Sequence, residues 1–151
     1  MKKQIMRALL GIAILAATAA TATAQSGRRL SVHVPFDFVV GGKQMPAGDY
    51  NVRRITKESE TALLIQSADG RSAATVMTNA SGKEPSRAEL TFRQHGDDYF
   101  LASVSIPGTV SVREVPRSKS EQRRTRELIE QARAGGGEDS DKTVTVAGSI
   151  Q

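Results

Sequence analysis

Apolar and polar residues alternate along HVPFDFVVGGKQMPAGDYNV, residues 33–52, and this pattern gives the first structural prediction. Every second residue from Val32 to Val40 is apolar, which is typical of a strand with one buried face. Pro35 cannot donate a ladder hydrogen bond, so we expect it at a sheet edge or a bulge. Gly41-Gly42 and then Pro46-Ala47-Gly48 supply turn residues. The stretch therefore predicts strands joined by turns.

The same glycines could also be read as a phosphate-binding loop. Such a loop leads into a helix N-terminus and usually carries a Lys followed by Ser or Thr. Here the glycines lead to Pro46 and to renewed alternation at Tyr50 and Val52. We therefore interpret the stretch as scaffold.

Short apolar runs and turns repeat downstream. We predict further strands over residues 61–67, 72–78, 88–94, 99–106 and 109–115. The pair Asp69-Gly70 between the first two runs is a strong hairpin signal, and NASGKEPS, residues 79–86, has the composition of a polar loop. Turn residues recur about every eight to twelve positions without a helical pattern between them. This predicts an all-β fold, an antiparallel β-sandwich or a small barrel, and leaves both closures open.

The pattern changes after Pro116. Ser118 and Glu121 have the spacing of a capping box, good helix formers follow, and the glycines from Gly135 end the pattern. These features predict one basic helix near the C-terminus, within residues 117–134. Its apolar face is thin, with Leu128 and Ile129 as its large members, so we expect most of the helix to be solvated.

Residues 135–151 combine a Gly-rich acidic segment with the alternating run TVTVAGSI. The first part is typical of a flexible linker, and the second alternates well enough for a strand. We therefore predict a flexible tail that can contain a final strand. The strand could complete an open edge of this domain, pair with another protein or stay disordered, and the sequence does not decide among these.

The first 24 residues have the composition of a secretory signal peptide. A basic start is followed by a short apolar run, residues 8–17, and by the cleavage spacing Ala22-x-Ala24. The run is about half of the ~20 residues that a membrane-spanning helix needs. We therefore predict cleavage after Ala24, a β-domain over residues 25–116, no transmembrane segment after cleavage, and a periplasmic or secreted location.

Charge and cysteine content narrow the classes of function. The formal net charge of +5 falls to +2 after cleavage, because three basic residues lie in the signal peptide. We therefore predict no nucleic-acid partner. The chain has no cysteine, which excludes disulfide scaffolds, thiol chemistry and a lipid anchor on a cleavage-site cysteine. The stability of the exported domain must come from its apolar core.

Three segments carry a resemblance to a known family: VPFDFVVGGKQMPAGDYNVRRI, LTFRQHGDDYFLASVSI and VPRSKSEQR, within residues 34–124. In these segments the chain resembles a family of small secreted bacterial proteins of unassigned function. Members combine a signal peptide, a PF-F-VG…LPAG-Y-V opening and a basic helix near the end. Met45 stands where the family pattern has Leu, which keeps the position apolar. The resemblance implies an envelope location and a β-rich fold, and it carries no catalytic residues.

Candidate catalytic and metal-binding residues are few. His33 is predicted on the outer face of a strand, and His95 lies in the polar turn RQHGDD beside two aspartates. A metal site needs three or four converging ligands, and turn residues of this kind are usually solvated. Glu58 and Glu60 lie in a loop-like stretch without a sign of burial. Neither G-x-S-x-G nor H-E-x-x-H occurs. We therefore predict a non-enzyme without catalytic, cofactor-binding or metal-binding residues.

Aromatic residues for stacking on a ligand are also scarce. The chain has no Trp, and Tyr50 and Tyr99 are its two tyrosines. Both are predicted on strands, where a role in the core or on the sheet is the common one. Tyr99, next to Asp97 and Asp98, is the better candidate for carbohydrate stacking. The predicted helix offers a more prominent surface.

Basic residues outnumber acidic ones in and next to this helix. They are Arg117, Lys119, Arg123, Arg124, Arg126 and Arg133. Arg–Glu pairs at i,i+4 can neutralise part of this charge, which is the ordinary behaviour of a solvated helix. The alternative is an electrostatic interaction surface for an anionic envelope polymer, lipid head groups or an acidic envelope protein. Insertion into a membrane is disfavoured because the apolar face is small.

Together these features predict an exported, non-catalytic β-domain that acts by binding or interaction in the bacterial cell envelope. Its expected partner is an envelope protein or an anionic envelope polymer. The number of predicted strands also supports an alternative from another class, a carrier of a small apolar ligand within the β-domain. The sequence predicts no cofactor and leaves the oligomeric state open.

Overall fold

The computed structural model describes residues 28–56, 61–135 and 142–151. The predicted signal peptide, Glu58, Glu60 and most of the Gly-rich acidic segment lie outside these residues. The described chain forms one helix, α1 (Lys119–Gly135), and the strands β1 (Leu30–Val34), β2 (Phe38–Val40), β3 (Lys43–Met45), β4 (Gly48–Arg54), β5 (Ala62–Ser67), β6 (Ala73–Met77), β7 (Asn79–Ser81), β8 (Glu89–His95), β9 (Asp98–Ser105), β10 (Val112–Glu114) and β11 (Lys142–Ile150).

The strands form a nearly closed, barrel-like sheet. Their order is β3-β2-β9-β8-β11-β1-β4-β5-β6, and β10 pairs with both β7 and β9. Neighbours are antiparallel except for β2 and β9, which run parallel and pair through Val39 and Phe100. β6 is the last strand of this order, and only Thr78 separates it from β7. Because β7 pairs with β10 and β10 pairs with β9, these short strands connect β6 to the part of the sheet around β9. The all-β prediction is confirmed, and of its two closures the nearly closed sheet is closer to the barrel.

The predicted first strand is divided into two. Val32 and Val34 on β1 and Phe38 and Val40 on β2 are buried, as the alternation predicts. Residues 35–37 separate the two strands, and Pro35 suits this break because it has no amide hydrogen to donate. β1 pairs with β4 and β11, whereas β2 pairs with β3 and β9. One alternating run therefore forms two strands that lie in different parts of the sheet.

The predicted Gly-Gly turn joins β2 to β3. Gly41 and Gly42 have φ values of 58° and 90°. Positive φ at both central residues is the requirement of a type I′ hairpin turn, and glycine meets it at the lowest cost. A strand follows rather than a helix, as expected for a scaffold turn.

Two short strands differ from the sequence-based pattern. β7 lies in the segment predicted as a polar loop, and of the strand predicted over residues 109–115 only residues 112–114, in its second half, form β10. Thr109 Oγ1 donates to the Ile106 carbonyl at 2.7 Å, which closes a turn where a strand was expected. Val110 in that turn is 82% exposed. β7 is a strand because it pairs with β10, and no apolar pattern marks it.

Side chains fill the interior of the barrel. The rings of Tyr50 and Phe92 lie 5.0 and 5.3 Å from that of Phe38, edge to face in both cases. Tyr50 Oη donates to the Pro46 carbonyl oxygen at 2.5 Å, so its polar end is satisfied. Leu30, Val34, Met45, Val52, Leu63, Ile65, Leu90, Leu101 and Val104 complete the buried centre. This apolar core provides the stability that the absence of cysteine requires.

Candidate functional site

Helix α1 begins directly after Ser118, as the capping-box spacing predicts. The Glu121 amide donates to Ser118 Oγ at 3.2 Å, which satisfies one of the unpaired amides at the helix N-terminus. The Glu121 side chain reaches the barrel instead of completing the box. Its carboxylate accepts hydrogen bonds from Arg93 Nε at 2.5 Å and from Arg93 Nη2 at 3.0 Å. The first turn of the helix is therefore attached to strand β8.

A buried ion cluster surrounds this carboxylate. Glu121 is 2% exposed, and His95 Nε2, on a side chain that is also buried, lies 3.2 Å from Glu121 Oε1. Arg117 Nε approaches the same oxygen to 4.0 Å, and Arg93 Nη2 also donates to the Val115 carbonyl at 3.2 Å. Removing a carboxylate from water is costly unless cations and donors surround it, and here they do. The cluster fixes α1 in one position on the barrel.

His95 lies at the end of β8 and is 1% exposed, so the expectation that it is solvated is wrong, although Asp97 of the same turn is exposed. Its ring is 5.5 Å from that of Phe100 and lies beneath the N-terminal part of α1. The next residue, Gly96, is exposed, but it lies next to the helix: a Cβ atom at Gly96 would be 3.5 Å from a methyl carbon of Leu128. Burial under a helix is a tertiary effect that the polar sequence RQHGDD does not reveal. In the described part of the chain no three His, Asp or Glu residues are grouped to hold a metal ion.

A second ion pair fixes the second turn of the helix. Arg124 Nε lies 2.7 Å from Asp98 Oδ2 at the start of β9. Arg124 Nη1 is also 3.7 Å from Glu127 Oε2 on the next turn. Arg124 therefore belongs to the contact between helix and barrel and is half-buried there. Its cation is directed toward the barrel.

The opposite side of α1 carries a row of cations, which we call the cationic stripe: Lys119, Arg123, Arg126 and Arg133. All four are exposed. Their spacing of i, i+4, i+7 and i+14 places them on one side of a helix with 3.6 residues per turn, along about 21 Å at 1.5 Å per residue. Glu121 and Leu128, which contact the barrel, lie about half a turn away from this row. The stripe therefore faces away from the barrel.

The structure divides the six predicted surface residues into two groups. Lys119, Arg123, Arg126 and Arg133 form the stripe, although Arg123 Nε is 3.7 Å from Glu127 Oε1, one of the predicted i,i+4 pairs. Arg117 and Arg124 face the carboxylates of Glu121 and Asp98 instead. The acidic residue Glu130 interrupts the stripe, since it follows Arg126 by one turn on the same side.

Sequence reasoning missed Arg93 and His95 as partners of Glu121. One signal was present, because Leu90 and Phe92 mark the inner face of β8, which puts Arg93 and His95 together on the outer face. Because the sequence does not show that α1 docks on this face, Arg93 and His95 would be expected to be solvated. The carboxylate comes from a distant part of the sequence.

A polar cleft of about 570 Å³ lies over the outer face of β1, β4 and β11. His33 is on this face, as predicted, with its Nδ1 2.8 Å from Asp49 Oδ1. Ser31 Oγ donates to Asn51 Oδ1 at 2.9 Å beside it. His33 and Asp49 are both largely exposed, so solvent screens their interaction. The pair has the features of a surface contact on neighbouring strands.

The barrel with its docked helix defines the class of fold, a small β-domain with one helix held on its outer face. Comparisons of the chain with protein-family models, with curated proteins and with solved structures find no match. Among the described residues, no helix has the length and hydropathy that a membrane crossing requires. The contacts of α1 are therefore the basis for a proposal of function.

Proposed function

We propose that the chain is an exported, non-catalytic β-domain that binds an anionic polymer of the bacterial cell envelope through the cationic stripe of α1. The observation that carries this proposal is the row of Lys119, Arg123, Arg126 and Arg133 on the side of α1 that faces away from the barrel. The predicted signal peptide supports the location.

The docking of α1 supports a binding role because it holds the stripe in place. Glu121 and Arg124 fix the first and second turns of the helix to Arg93 and Asp98 on the barrel. A binding surface that is already ordered loses less conformational entropy when its partner arrives. The helix therefore presents its cations at fixed intervals.

A polymer with repeating anionic groups suits this geometry. Arg123, Arg126 and Arg133 carry planar guanidinium groups, which bind phosphate or carboxylate through two parallel hydrogen bonds. The row is about 21 Å long, so it can contact several successive anionic groups of an extended chain. Leu128 and Ile129 are the large apolar residues of the helix and are half-buried, which disfavours its insertion into lipid.

The placement of the histidines supports the non-catalytic part of the proposal. His95 and Glu121 are buried beneath the helix, where a substrate would have to displace α1 to reach them. His33 and Asp49 are exposed on a sheet surface, without the burial that adapts a pair for acid–base chemistry. Neither pair therefore combines burial with access for a substrate.

The carrier alternative receives less support from the fold. A barrel that carries a small apolar ligand needs an interior space of a few hundred Å³. Phe38, Tyr50 and Phe92 occupy the middle of this barrel and are in ring contact. Binding on the outer surface requires no rearrangement of this core.

Titration of the mature chain with long-chain polyphosphate, followed by calorimetry at low and at physiological salt, tests the proposal. The variant K119Q/R123Q/R126Q/R133Q should bind at least about tenfold more weakly, because each cation near an anionic surface contributes up to about 1 kcal/mol. The affinity of the native chain should fall as salt screens the contact.

The matched control removes four exposed cations elsewhere, R29Q/R53Q/K83Q/R87Q, and so changes the net charge equally. We expect this control to retain most of the affinity. Equal losses in the two variants would show that net charge alone is responsible and would remove the stripe as the binding surface. Failure of the native chain to bind polyphosphate at low salt would overturn the proposed ligand class.

A further inference from the structure

The polar cleft lies where strand β11 changes its partner strand. Residues 142–147 pair with β8, and residues 148–150 pair with β1. The ladder of β1 with β11 ends at Gly148, so within the described ladders His33 on β1 is paired with β4 alone. His33, Ala147 and Gly148 all line the cleft of about 570 Å³. The small residues of β11 leave this space open.

The side chains that line the cleft from the outer face are polar or small. Val32 and Tyr50 also line it, but both are buried on the inner face of the sheet. The other lining residues are Ser31, His33, Asp49, Asn51, Ala68, Ala147, Gly148, Ser149 and Gln151. Within the described part of the chain, this lining contains no lysine or arginine, and Asp49 is its one acidic side chain. It therefore favours a polar ligand without negative charge over an apolar ligand or a polyanion.

Two hydrogen bonds between β1 and β4 restrain the polar groups of the cleft. Ser31 lies opposite Asn51 in the ladder and His33 lies opposite Asp49, so all four side chains are on the outer face. Ser31 Oγ donates to Asn51 Oδ1 at 2.9 Å. His33 Nδ1 is 2.8 Å from Asp49 Oδ1, and because an ionised carboxylate only accepts, Nδ1 is the donor. Each of these side chains is thus oriented by its cross-strand partner.

Three polar groups of these side chains remain for a ligand. Asn51 Nδ2 carries two hydrogens, whereas Asp49 Oδ2 and, in the neutral imidazole, His33 Nε2 carry lone pairs. Among the described residues, none of the three atoms has a hydrogen bond or an ion pair. A sugar hydroxyl group is both a donor and an acceptor. Neighbouring hydroxyl groups of one sugar can therefore accept from Asn51 and donate to His33 or Asp49.

We propose that this cleft binds a neutral saccharide through the hydroxyl groups of its sugar units. A second cleft, of about 430 Å³, adjoins the first, because Asp49, Tyr50 and Ala68 line both. It adds Ser67 and Asp69, which are joined by a hydrogen bond of 2.6 Å from Ser67 Oγ to Asp69 Oδ1. Each cleft has a volume in the range of small-molecule sites. Two adjoining clefts suit an oligosaccharide better than a single sugar.

The saccharide site is separate from the cationic stripe of α1. The helix is bound by Arg93 on β8 and Asp98 on β9, whereas the first cleft lies over β1, β4 and β11. None of the stripe residues lines either cleft. The inference therefore goes beyond polymer binding, and each of the two can hold or fail alone.

Titration of the isotope-labelled mature chain with neutral tetrasaccharides of glucose and of N-acetylglucosamine, followed by NMR, tests the proposal. We expect saturable shifts of the amide signals around Ser31, His33 and Asn51. The variant N51D should weaken binding about fivefold or more, because it replaces the donor group by a second acceptor. The matched control is Q66E, which makes the same chemical change at the residue opposite Asn51 on β5. Gln66 lines neither cleft, so this control should bind as the native chain does.

The variant A147L tests the site by filling it. Ala147 is exposed, so the larger side chain should occupy the cleft without disturbing the core, and saccharide binding should weaken. The variant without the stripe, K119Q/R123Q/R126Q/R133Q, should bind saccharide as the native chain does. This result would separate the saccharide site from the polymer site.

Two sets of results would overturn the inference. Equal affinities of the N51D and Q66E variants, or shifts confined to α1, would show that the cleft is not the site. An absence of shifts with every neutral saccharide at tens of millimolar would remove saccharides as the ligand class. Binding only of saccharides that carry acid groups would contradict the assignment of a neutral ligand.

Discussion

At the scale of single residues, Tyr50 combines an apolar ring contact with a hydrogen bond from its hydroxyl group. Its ring packs edge-on against Phe38, and its hydroxyl group donates to the Pro46 carbonyl. Burial raises the pKa of the Tyr50 hydroxyl above its ordinary value of 10.0, and the charges of Asp37 and Asp69 raise it further. Because folding raises this pKa, the neutral hydroxyl group favours the folded over the unfolded chain at pH values below 10. This contribution is lost as the pH rises above 10 and the hydroxyl group ionises.

The variant Tyr50→Phe should separate these two contributions. At neutral pH we expect its free energy of unfolding to fall by about 1 kcal/mol, the usual net value of one hydrogen bond. Above about pH 10 the native chain should lose stability faster than the variant, so the difference between them should narrow. Urea denaturation of both proteins from about pH 7 to about pH 11 measures this. A difference that stays constant over that range would contradict the assignment.

At the scale of elements, α1 is held mainly by charged side chains. Glu121 is its one fully buried residue, whereas Leu128 and Ile129 are only half-buried. Replacing both members of a buried ion pair can be neutral, but removing one member leaves the other charge without compensation. The attachment of the helix therefore depends on a few groups, chiefly Arg93 and Glu121.

Glu121→Gln should consequently destabilise the chain by about 2–4 kcal/mol, because Arg93 loses its charged partner within the contact. Amide hydrogens of α1 should also exchange faster, since the helix is less firmly docked. Glu127→Gln is the control, because Glu127 lies on the same helix, is half-exposed and pairs with arginines at 3.7 Å. We expect the control to cost less than about 1 kcal/mol. Similar losses in urea denaturation would show that the buried cluster has no special role.

Local alternation explains which strands could be predicted from the sequence. β4, β5, β8 and β9 each alternate over several residues or follow a clear turn, so their positions were predictable. β7 and the break at Pro35 depend on which strands pair, and pairing joins residues far apart in the sequence. The sequence also left three fates for β11, and the structure has it paired within the same chain.

The residues of the candidate site could be predicted from the sequence, but their contacts with the barrel could not. The six cations near the helix are visible in the sequence, and helical spacing alone places four of them in one row. The same spacing puts Arg124 off the row, but its pairing with Asp98, and that of Glu121 with Arg93, could not be predicted. These partners lie on β8 and β9, so only the docked structure identifies them.

At the scale of the whole molecule, the closure of the barrel depends on the crossing of β11 from β8 to β1. Val146 pairs with Leu90 on one side of this crossing, and Ile150 pairs with Leu30 on the other. Gly148 lies between them, in close contact with Ser31. A residue without a side chain is required there, because the backbones approach closely.

Gly148→Ala should therefore lower the free energy of unfolding by about 1–3 kcal/mol, the usual cost of an added methyl group without space for it. The amides of β1 should exchange faster, because this strand is displaced first. Gly135→Ala is the matched control, since a Cβ atom at Gly135 meets no neighbouring atom. Urea denaturation and hydrogen exchange of the two variants measure the difference. If both substitutions have the same effect, the crossing is not a critical point of closure.

The same crossing determines when the chain can finish folding. Leu30, near the start of the described chain, pairs with Ile150, next to its last residue. During synthesis β1 can meet β4 early, but its ladder with β11 cannot form until residues 148–150 have been made. Pairing between such distant segments is also slow, because a long loop must close first. The ladder between β1 and β11 is therefore among the last contacts that the chain can form.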